Sequence, residues 1–352
     1  MMIFNLVTQN EKAGAQDIAW SITSHFNRKG VPSKLIFMYK KEAVGYSGED
    51  IINISDKKPS GFLSMFILIY KFAYLIRSQG EFKLVCHTHY SIILGGLMGK
   101  LFGAQEVYWV HHGRLRSRSR LYRFFQSFLG TTKLVDRIVC VSDTVFDEAM
   151  NSPQKYKDKL ILIRNAVQLY KKIPSSNIEN CKVVRIFSSG RLHPKKNQAI
   201  LFDLVKADQR FCFTLAGDGD LYEEFKSICD DISLTSRCRL LGNIEKKDVI
   251  NELNLCDVFV FPSLDEAFGL SVAEAISALK PVVCFDIPAM REVADGYAIF
   301  VKENQLCSWY DGVLSALDLT EQELLERRYK IVEKGIFSYD KMIGSYFDLI
   351  CN

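Results

Sequence analysis

The chain has 352 residues, which is more than one compact core usually holds, so two domains of roughly 150 to 180 residues are expected. A hydrophobic content of 48% excludes a disordered chain, and a net charge of +4 gives no indication of a nucleic-acid partner. The ten cysteines are scattered with no CxxC pair. This pattern is typical of free thiols in a reducing cytosol and not of a disulfide framework or a zinc site.

Short apolar runs alternate with helical patterns along the first half, which predicts parallel βαβ units. Helices are expected at 14–29 and 61–78. The predicted strands of this half are 2–8, 34–38, 83–88, 106–111, 137–142 and 160–163.

A second series of strands follows a polar segment at 167–182 that contains Pro174 and resembles an interdomain linker. The predicted strands are 183–189, 211–217, 238–242, 257–263, 281–286 and 297–301. The sequence therefore predicts two doubly wound sheets in tandem, which are expected to face a cleft. Ligands of such sheets bind beyond the carboxyl ends of the strands.

The segment 61–76, "GFLSMFILIYKFAYLI", is the longest apolar run. Lys71 interrupts it, and it is shorter than the roughly 20 residues of a membrane-spanning helix. A half-buried helix and a helix that docks on a membrane surface both fit this pattern. The first residues, "MMIFNLVTQNEKAG", lack the features of a signal peptide, so a cytoplasmic location is expected.

The loop after strand 183–189 reads "GRLHPKKN". Gly190 permits a sharp exit from the strand, Arg191 follows it, and Lys195 and Lys196 come at the start of the next helical pattern. Cations beside a helix N-terminus make an anion site that suits a diphosphate. A surface basic loop is the alternative.

Two carboxylates flank the loop after strand 257–263. Glu266 lies in the loop, and Glu274 is predicted in the first turn of a helix that begins near Ser271. An acidic side chain there suits the helix dipole, and a carboxylate can also accept two ribose hydroxyls. The motif "GDG" at 217–219 lacks the third glycine of a dinucleotide fingerprint, so an NAD site is not expected.

In the first half, His111 and His112 end a strand and are followed by a row of arginines at 114, 116, 118, 120 and 123. Each histidine has a structural alternative. The arginines fit either a solvated basic face or a site for an anionic lipid headgroup or a pyrophosphate-linked acceptor.

Together these motifs resemble glycosyltransferase family 4, whose members are retaining, nucleotide-sugar-dependent enzymes with the GT-B fold of two Rossmann-like domains. The resemblance rests on "GRLHPKKN", "LAGDGDL", "LLGNI", "DVFVFPSLDEAFGLSVAEA" and "KPVVCFDIPAMREV". Glu266 and Glu274 match the E-x7-E motif. Matches in the first half, such as "HTH" at 87–89 and "VHHG" at 110–113, are looser.

The resemblance implies an acceptor-binding domain at 1–170 and a donor-binding domain at 171–334, with a helix at about 335–352 that packs back on the first. It implies Glu266, His112, Arg191 and Lys196 as catalytic residues. Acceptor contacts are expected from His111, Arg114 and Arg116. The donor-binding residues that it implies are Gly14, Gly190, Arg191, Lys196, Ile244, Glu266, Phe268, Gly269, Leu270 and Glu274.

The implied reaction moves a hexose from a UDP- or GDP-sugar to a glycan or lipid-linked acceptor of a cell-surface polysaccharide, such as O-antigen, lipopolysaccharide or capsule. No metal or other cofactor is expected, and the inner membrane surface is a possible partner. A nucleotide-sugar epimerase and an inactive binding protein are the alternatives. Leu279 departs from the family, which usually has a glycine before "KPVV".

Overall fold

The computed structural model describes residues 1–41, 45–77, 80–169, 183–230, 236–333, 335 and 338–351. The chain divides into two compact units, Met1–Arg164 with Asp340–Asn352, and Asn165–Tyr339. The predicted domain boundary at residue 170 and most of the predicted linker lie outside the described residues. Among the helices described, none has the length and apolar character needed to cross a membrane.

The first unit is built on a seven-stranded, wholly parallel sheet with the order β3-β2-β1-β4-β5-β6-β7. Strands β1, β4 and β5 are almost entirely buried, as expected when helices cover both faces. The strands are β1 Met2–Asn10, β2 Ser33–Lys40, β3 Ile51–Asn53, β4 Phe82–Cys86, β5 Ala104–His111, β6 Arg137–Cys140 and β7 Leu160–Leu162.

The helices of this unit lie on two faces of the sheet. They are α1 Gly14–Arg28, α2 Phe62–Arg77, α3 His89–Met98, α4 Arg120–Thr131, α5 Asp143–Ala149, α6 Gln154–Lys157 and α14 Tyr339–Cys351. Strand order reverses after β3, so right-handed crossovers place α1 on one face and α2 to α6 on the other. Helix α14 shares the face of α1, because Phe347 packs edge-on against Phe26 at 5.3 Å between ring centroids.

The second unit is a six-stranded parallel sheet with the order β10-β9-β8-β11-β12-β13. Its strands are β8 Val184–Ser189, β9 Phe211–Ala216, β10 Cys238–Gly242, β11 Val258–Phe261, β12 Val282–Phe285 and β13 Ile299–Val301. Its helices are α7 Ile200–Ala207, α8 Tyr222–Cys229, α9 Lys246–Leu255, α10 Leu270–Ser277, α11 Pro288–Ala294, α12 Leu306–Leu317 and α13 Glu321–Glu333.

The predicted fold class is confirmed, since both halves form doubly wound parallel sheets. All twelve predicted strands are present, with ends that differ by no more than two residues. Strand β3 was missed, because its three residues are too few to show a period.

Leu279 ends α10 in a conformation that favours glycine. Its φ is +58°, in the left-handed region. The backbone N–H of Leu279 donates to the carbonyl of Ile276, and that of Lys280 donates to the carbonyl of Ala275, each at 3.0 Å. These two bonds form a Schellman motif. The Leu279 side chain is only 8% exposed and packs in the core of the second unit, so burial offsets the backbone strain.

At most helical positions a glycine variant is less stable than an alanine variant. At Leu279 we expect the opposite. Leu279→Ala should destabilise by about 2 to 4 kcal/mol, because it removes a buried side chain and keeps the strain. Leu279→Gly should be less destabilising by about 1 kcal/mol, because glycine relieves the strain. At the buried helical position Leu253, glycine should instead be worse than alanine by about 1 kcal/mol. Urea unfolding of the four variants measures the difference in stability between alanine and glycine at each position. If the same residue gives the more stable variant at both positions, the expectation is wrong.

Candidate active site

A basic loop follows β8 at the carboxyl edge of the second sheet. Gly190 leaves the strand with φ +149°, and the chain then forms a 3₁₀ turn at Pro194–Lys196. His193 caps this turn, since its Nδ1 accepts a hydrogen bond from the Lys195 backbone N–H at 3.1 Å. Asn197 closes it with a left-handed φ of +54°. The cap and the turn fix the directions in which Lys195 and Lys196 leave the backbone.

Gly217 and Gly219 pack against this loop. The N–H of Gly190 donates to the Ala216 carbonyl, and the N–H of Leu192 donates to the Asp218 carbonyl, both at 2.9 Å. A Cβ on Gly217 would lie 2.0 Å from the Gly190 carbonyl oxygen, and one on Gly219 would lie 2.3 Å from that of Leu192. The "GDG" motif therefore permits two backbones to approach, which explains the two glycines without a dinucleotide site.

The loops after β8 and β11 are joined by two neighbouring ion pairs. Lys196 Nζ contacts Glu266 Oε1, and Lys195 Nζ lies 3.0 Å from Asp265 Oδ2. The side chains of Lys196 and Glu266 are 23% and 12% exposed. Those of Lys195 and Asp265 are 49% and 21% exposed. Lys196 and Glu266, which the sequence singled out separately, thus form the less exposed of the two pairs.

Helix α10 begins at Leu270, one residue earlier than predicted, with Gly269 as its N-cap at φ +97°. Glu274 therefore lies in the second turn, not in the first as predicted, and the helix dipole does not explain it. Its Oε1 lies 3.2 Å from Lys246 Nζ, at the start of α9. L side chains rarely adopt the φ of +97° at Gly269, so its backbone conformation favours glycine at this position.

The other predicted donor residues fall around this helix start. Phe268 is 3% exposed and packs in the core, so only its backbone is available to a ligand. Ile244 and Leu270 are half-buried against the same core. Arg191 is exposed beside the basic loop. The structure thus gathers the predicted residues of the second unit at the carboxyl ends of β8, β10 and β11.

In the first unit, the predicted residues lie at the ends of β1 and β5. Gly14 is the first residue of α1. Arg114 is held by the buried carboxylate of Glu148, with 2.6 Å from its guanidinium nitrogen to Oε1. The Arg116 side chain is 69% exposed and its backbone N–H donates to the same carboxylate at 3.2 Å.

The two adjacent histidines have different surroundings. His111 is 3% exposed, and its Nε2 contacts the Tyr156 hydroxyl at 2.8 Å and the Gln126 amide nitrogen at 3.2 Å. Burial lowers the pKa of His111 to about 4. His112 lies beyond the strand end and is only partly buried. Of the pair, His111 serves the core of its unit, and His112 is the one within reach of a ligand.

His87 and Asn5 orient His112. Asn5 was assigned no role from the sequence, and His87 was included only within the looser "HTH" match at 87–89. The Asn5 amide Nδ2 donates to Thr23 and Ser33, so its Oδ1 accepts from His87 Nε2 at 3.0 Å. Nδ1 of neutral His87 then accepts from His112 Nε2 at 3.1 Å. Burial lowers the pKa of both histidines, to about 3 for His112. This chain of hydrogen bonds leaves Nδ1 of His112 as a hydrogen-bond acceptor.

The buried His111 predicts a loss of stability in acid. The unfolded state takes up a proton near pH 6.5 and the folded state only near pH 4, so acidification through this window favours unfolding. When the pH falls from 7.5 to 5, His111 should lower the free energy of unfolding by about 2 kcal/mol. A His111→Gln variant should lose that part of the pH dependence, as measured by urea unfolding at the two pH values. An unchanged pH dependence would contradict the prediction.

Comparison with known proteins shows the family to which the chain belongs. The family model for glycosyl transferases, group 1, matches residues 155–335, which is just over half of the chain. The chain belongs to this family. The match includes Arg191, Lys196, Glu266 and Glu274, and the protein is accordingly a glycosyltransferase.

The relatives of this glycosyltransferase include two enzymes of bacterial glycan synthesis. It is 28% identical to the UDP-Gal:alpha-D-GlcNAc-diphosphoundecaprenol alpha-1,3-galactosyltransferase of Escherichia coli, over 76% of each chain. It is 24% identical to the O-antigen chain mannosyltransferase RfbU of Salmonella typhimurium, over 77% of each. The crystal structure of Anabaena Alr3699/HepE in complex with UDP and glucose superposes with a TM-score of 0.81 at 16% identity, covering 100% of this chain and 99% of that one. The fold of this glycosyltransferase is GT-B.

Proposed function

We propose that the protein is a retaining glycosyltransferase of family 4 that moves a hexose from a nucleotide-diphosphate sugar to a glycan or lipid-linked acceptor. The observation that carries the proposal is the paired Lys196 and Glu266 beside Arg191, at the carboxyl edge of the second sheet. Cations there can hold a diphosphate while a neighbouring carboxylate orients sugar hydroxyls. Glu266 and Glu274 form the E-x7-E motif of this proposal.

The donor-binding role proposed for each residue is based on its position in the fold and on the resemblance to the family. Arg191 and Lys196 bind the diphosphate, and Glu274 accepts hydrogen bonds from the ribose. The backbone amides at Phe268, Gly269 and Leu270 face the phosphates, and Ile244 frames the base. Gly14 and Gly190 give the donor close backbone approach. UDP is the favoured nucleotide, because the Escherichia coli relative is named for UDP-Gal and the Anabaena protein binds UDP.

Chemically, the departing diphosphate gains negative charge as the glycosidic bond breaks. Arg191 and Lys196 stabilise that charge, so no metal ion is required in this proposal, and EDTA should leave the rate unchanged. Attack on the same face retains the anomeric configuration, with the leaving phosphate assisting deprotonation of the acceptor. Glu266 positions the sugar and does not act as a nucleophile. Nδ1 of His112 accepts a hydrogen bond from a sugar hydroxyl.

The acceptor is proposed to be an intermediate of cell-surface polysaccharide synthesis, of the O-antigen, lipopolysaccharide or capsule type. The two bacterial relatives support this class, since one is named for a diphosphoundecaprenol acceptor and the other for the O-antigen chain. Exposed Arg116 is suited to the anionic group of such an acceptor. The proposed location is the cytoplasmic side of the membrane that carries it.

Thermal unfolding in the presence of UDP, GDP and their hexose conjugates tests the donor site. A ligand at about 100 times its Kd should stabilise the folded state by about 2.7 kcal/mol, and we expect UDP to raise Tm more than GDP does. Transfer is then measured with the stabilising donor and a diphosphoundecaprenol-linked sugar, and the product anomer is read by NMR.

The same assay separates the alternatives. Conversion of the nucleotide sugar without any acceptor would favour an epimerase. The absence of stabilisation by every nucleotide tested would favour an inactive binding protein. An inverted product anomer would refute retention while leaving the transferase assignment intact.

A further inference from the structure

Helices α2, α3 and α4 lie side by side on one face of the first sheet. Right-handed crossovers place them there, and α3 contacts α4 and the 3₁₀ turn Lys100–Phe102, which in turn contacts α2. We call segments 61–77, 87–103 and 112–133 the α2–α4 face.

Large apolar side chains are exposed along this face. In α2, the buried stripe is narrow and consists of Leu68, Phe72 and Ile76. Phe62 is 88% exposed, and Phe124 in α4 is 66% exposed. The large hydrophobic side chains exposed on this face are Phe62, Leu63, Met65, Phe66, Ile67, Tyr70, Tyr74, Tyr90, Leu97, Leu101, Leu121, Phe124, Phe125 and Phe128. Patches of this extent mark an interaction surface.

The charges of the α2–α4 face all have one sign. Its three segments hold nine Lys or Arg residues and no Asp or Glu, so the rest of the chain, with a total of +4, carries −5. Lys100, Arg114 and Arg116 are paired with acids of neighbouring segments. Lys71, Arg120 and Arg123 are exposed among the apolar side chains. The surface therefore combines insertion of apolar groups with attraction to anions.

An anionic lipid surface satisfies both properties. Aromatic and aliphatic side chains enter the boundary between headgroups and acyl chains, while Lys and Arg meet lipid phosphates. A second copy of this chain fits less well, because a symmetric contact would bring exposed cations such as Lys71, Arg120 and Arg123 against the same cations, and these segments contain no Asp or Glu to pair with them. A nucleic acid would neutralise the arginines but leave the apolar side chains of α2 and α4 exposed to water.

We infer that the α2–α4 face docks the protein on an anionic membrane, in the plane of the surface and without spanning it. This inference goes beyond the proposed function, because docking requires no transfer chemistry. It gives the enzyme a surface on which lipid-linked acceptors are concentrated.

Vesicle flotation tests the inference on the full-length protein. Phosphatidylcholine vesicles with about 30% phosphatidylglycerol should carry the protein, pure phosphatidylcholine vesicles should carry little, and about 0.5 M NaCl should release most of it. Arg120→Gln with Arg123→Gln should lower the partition coefficient by roughly 30-fold. Phe124→Gln with Phe128→Gln should lower it by at least tenfold.

Matched control variants lie on α13 and on exposed lysines of the second unit. Leu325 and Tyr329 are 42% and 66% exposed and have the same spacing as Phe124 and Phe128. Their double Gln variant should bind vesicles like wild type, and so should Lys206→Gln with Lys226→Gln. The UDP-induced shift in Tm should be the same in all four variants, which shows that each is folded and tests the donor site separately.

Three results would overturn the inference. The first is equal binding to neutral and anionic vesicles, and the second is equal loss of binding in the face and control variants. The third is a dimer in sedimentation equilibrium that Phe124→Gln with Phe128→Gln dissociates, without vesicle binding by wild type, which would assign the face to a second copy. Vesicle binding without stabilisation by nucleotides would leave docking intact and refute the proposed function alone.

Discussion

Transfer by a Glu266→Gln variant is expected to fall by about 100- to 1000-fold, while its affinity for UDP equals or exceeds that of wild type. Glutamine keeps the shape of the side chain but removes the charge that contacts Lys196. Lys196 then offers its full charge to a diphosphate, because no carboxylate competes for it. UDP affinity by calorimetry and turnover with the stabilising donor measure the two effects separately. Glu266→Ala should lose activity at least as severely.

Asp265→Asn is the matched control for this prediction. Asp265 is the adjacent residue and also pairs with a lysine of the same loop, so its loss should change turnover by no more than about threefold if the pair only joins two loops. Near-normal turnover by folded Glu266→Gln would refute the role given to Glu266. Equal losses in both variants would show that joining the loops, and not contact with the sugar, is what matters.

Lys196→Gln and Arg191→Ala are each expected to lower kcat/KM by about 100- to 1000-fold, because each removes a cation that stabilises the departing diphosphate. Unlike Glu266→Gln, both variants should also bind UDP more weakly. Steady-state kinetics and calorimetry with UDP measure these losses. Circular dichroism should show an unchanged fold, since Arg191 is exposed and Lys196 is only partly buried.

Lys195→Gln is the matched control for Lys196, with the same chemical change one residue earlier. Lys195 is directed to Asp265 and its side chain is 49% exposed, so kcat/KM should stay within about threefold of wild type. If Lys195→Gln instead shows the large loss and Lys196→Gln does not, the two lysines exchange roles, and the assignment based on Glu266 is wrong.

Much of the second unit could be predicted from the sequence, because its strands and loops are marked by patterns among neighbouring residues. Six short apolar runs and the loops after them predicted the second sheet, and the carboxyl-edge rule selected Arg191, Lys196, Glu266 and Glu274. The start of α10 was misplaced by one residue, which moved Glu274 from the first turn to the second. Capping by Gly269 in a left-handed conformation sets that start, and a glycine in a loop has no pattern that distinguishes a cap from a turn.

The first half was less predictable because its candidate site depends on contacts between distant segments. His87 and His112 are 25 residues apart and Asn5 is 82 residues from His87, so no spacing in the sequence links them. His111 is buried and His112 is only partly buried because β5 ends at His111. The end of a strand cannot be predicted to within one residue. The sequence therefore could not show which of the two adjacent histidines lies inside the strand.

The sequence by itself determined the two parallel sheets, the basic loop and the acidic motif, because strand period, glycine position and charge are properties of neighbouring residues. It also held the nine cations of segments 61–77, 87–103 and 112–133, which contain no Asp or Glu. Only the tertiary structure placed those segments on one face and left their apolar side chains exposed. It alone paired Lys196 with Glu266 and Lys195 with Asp265. The physical reason is the same in each case: these arrangements arise from the crossover of the chain between strands, which brings together residues that have no local pattern in common.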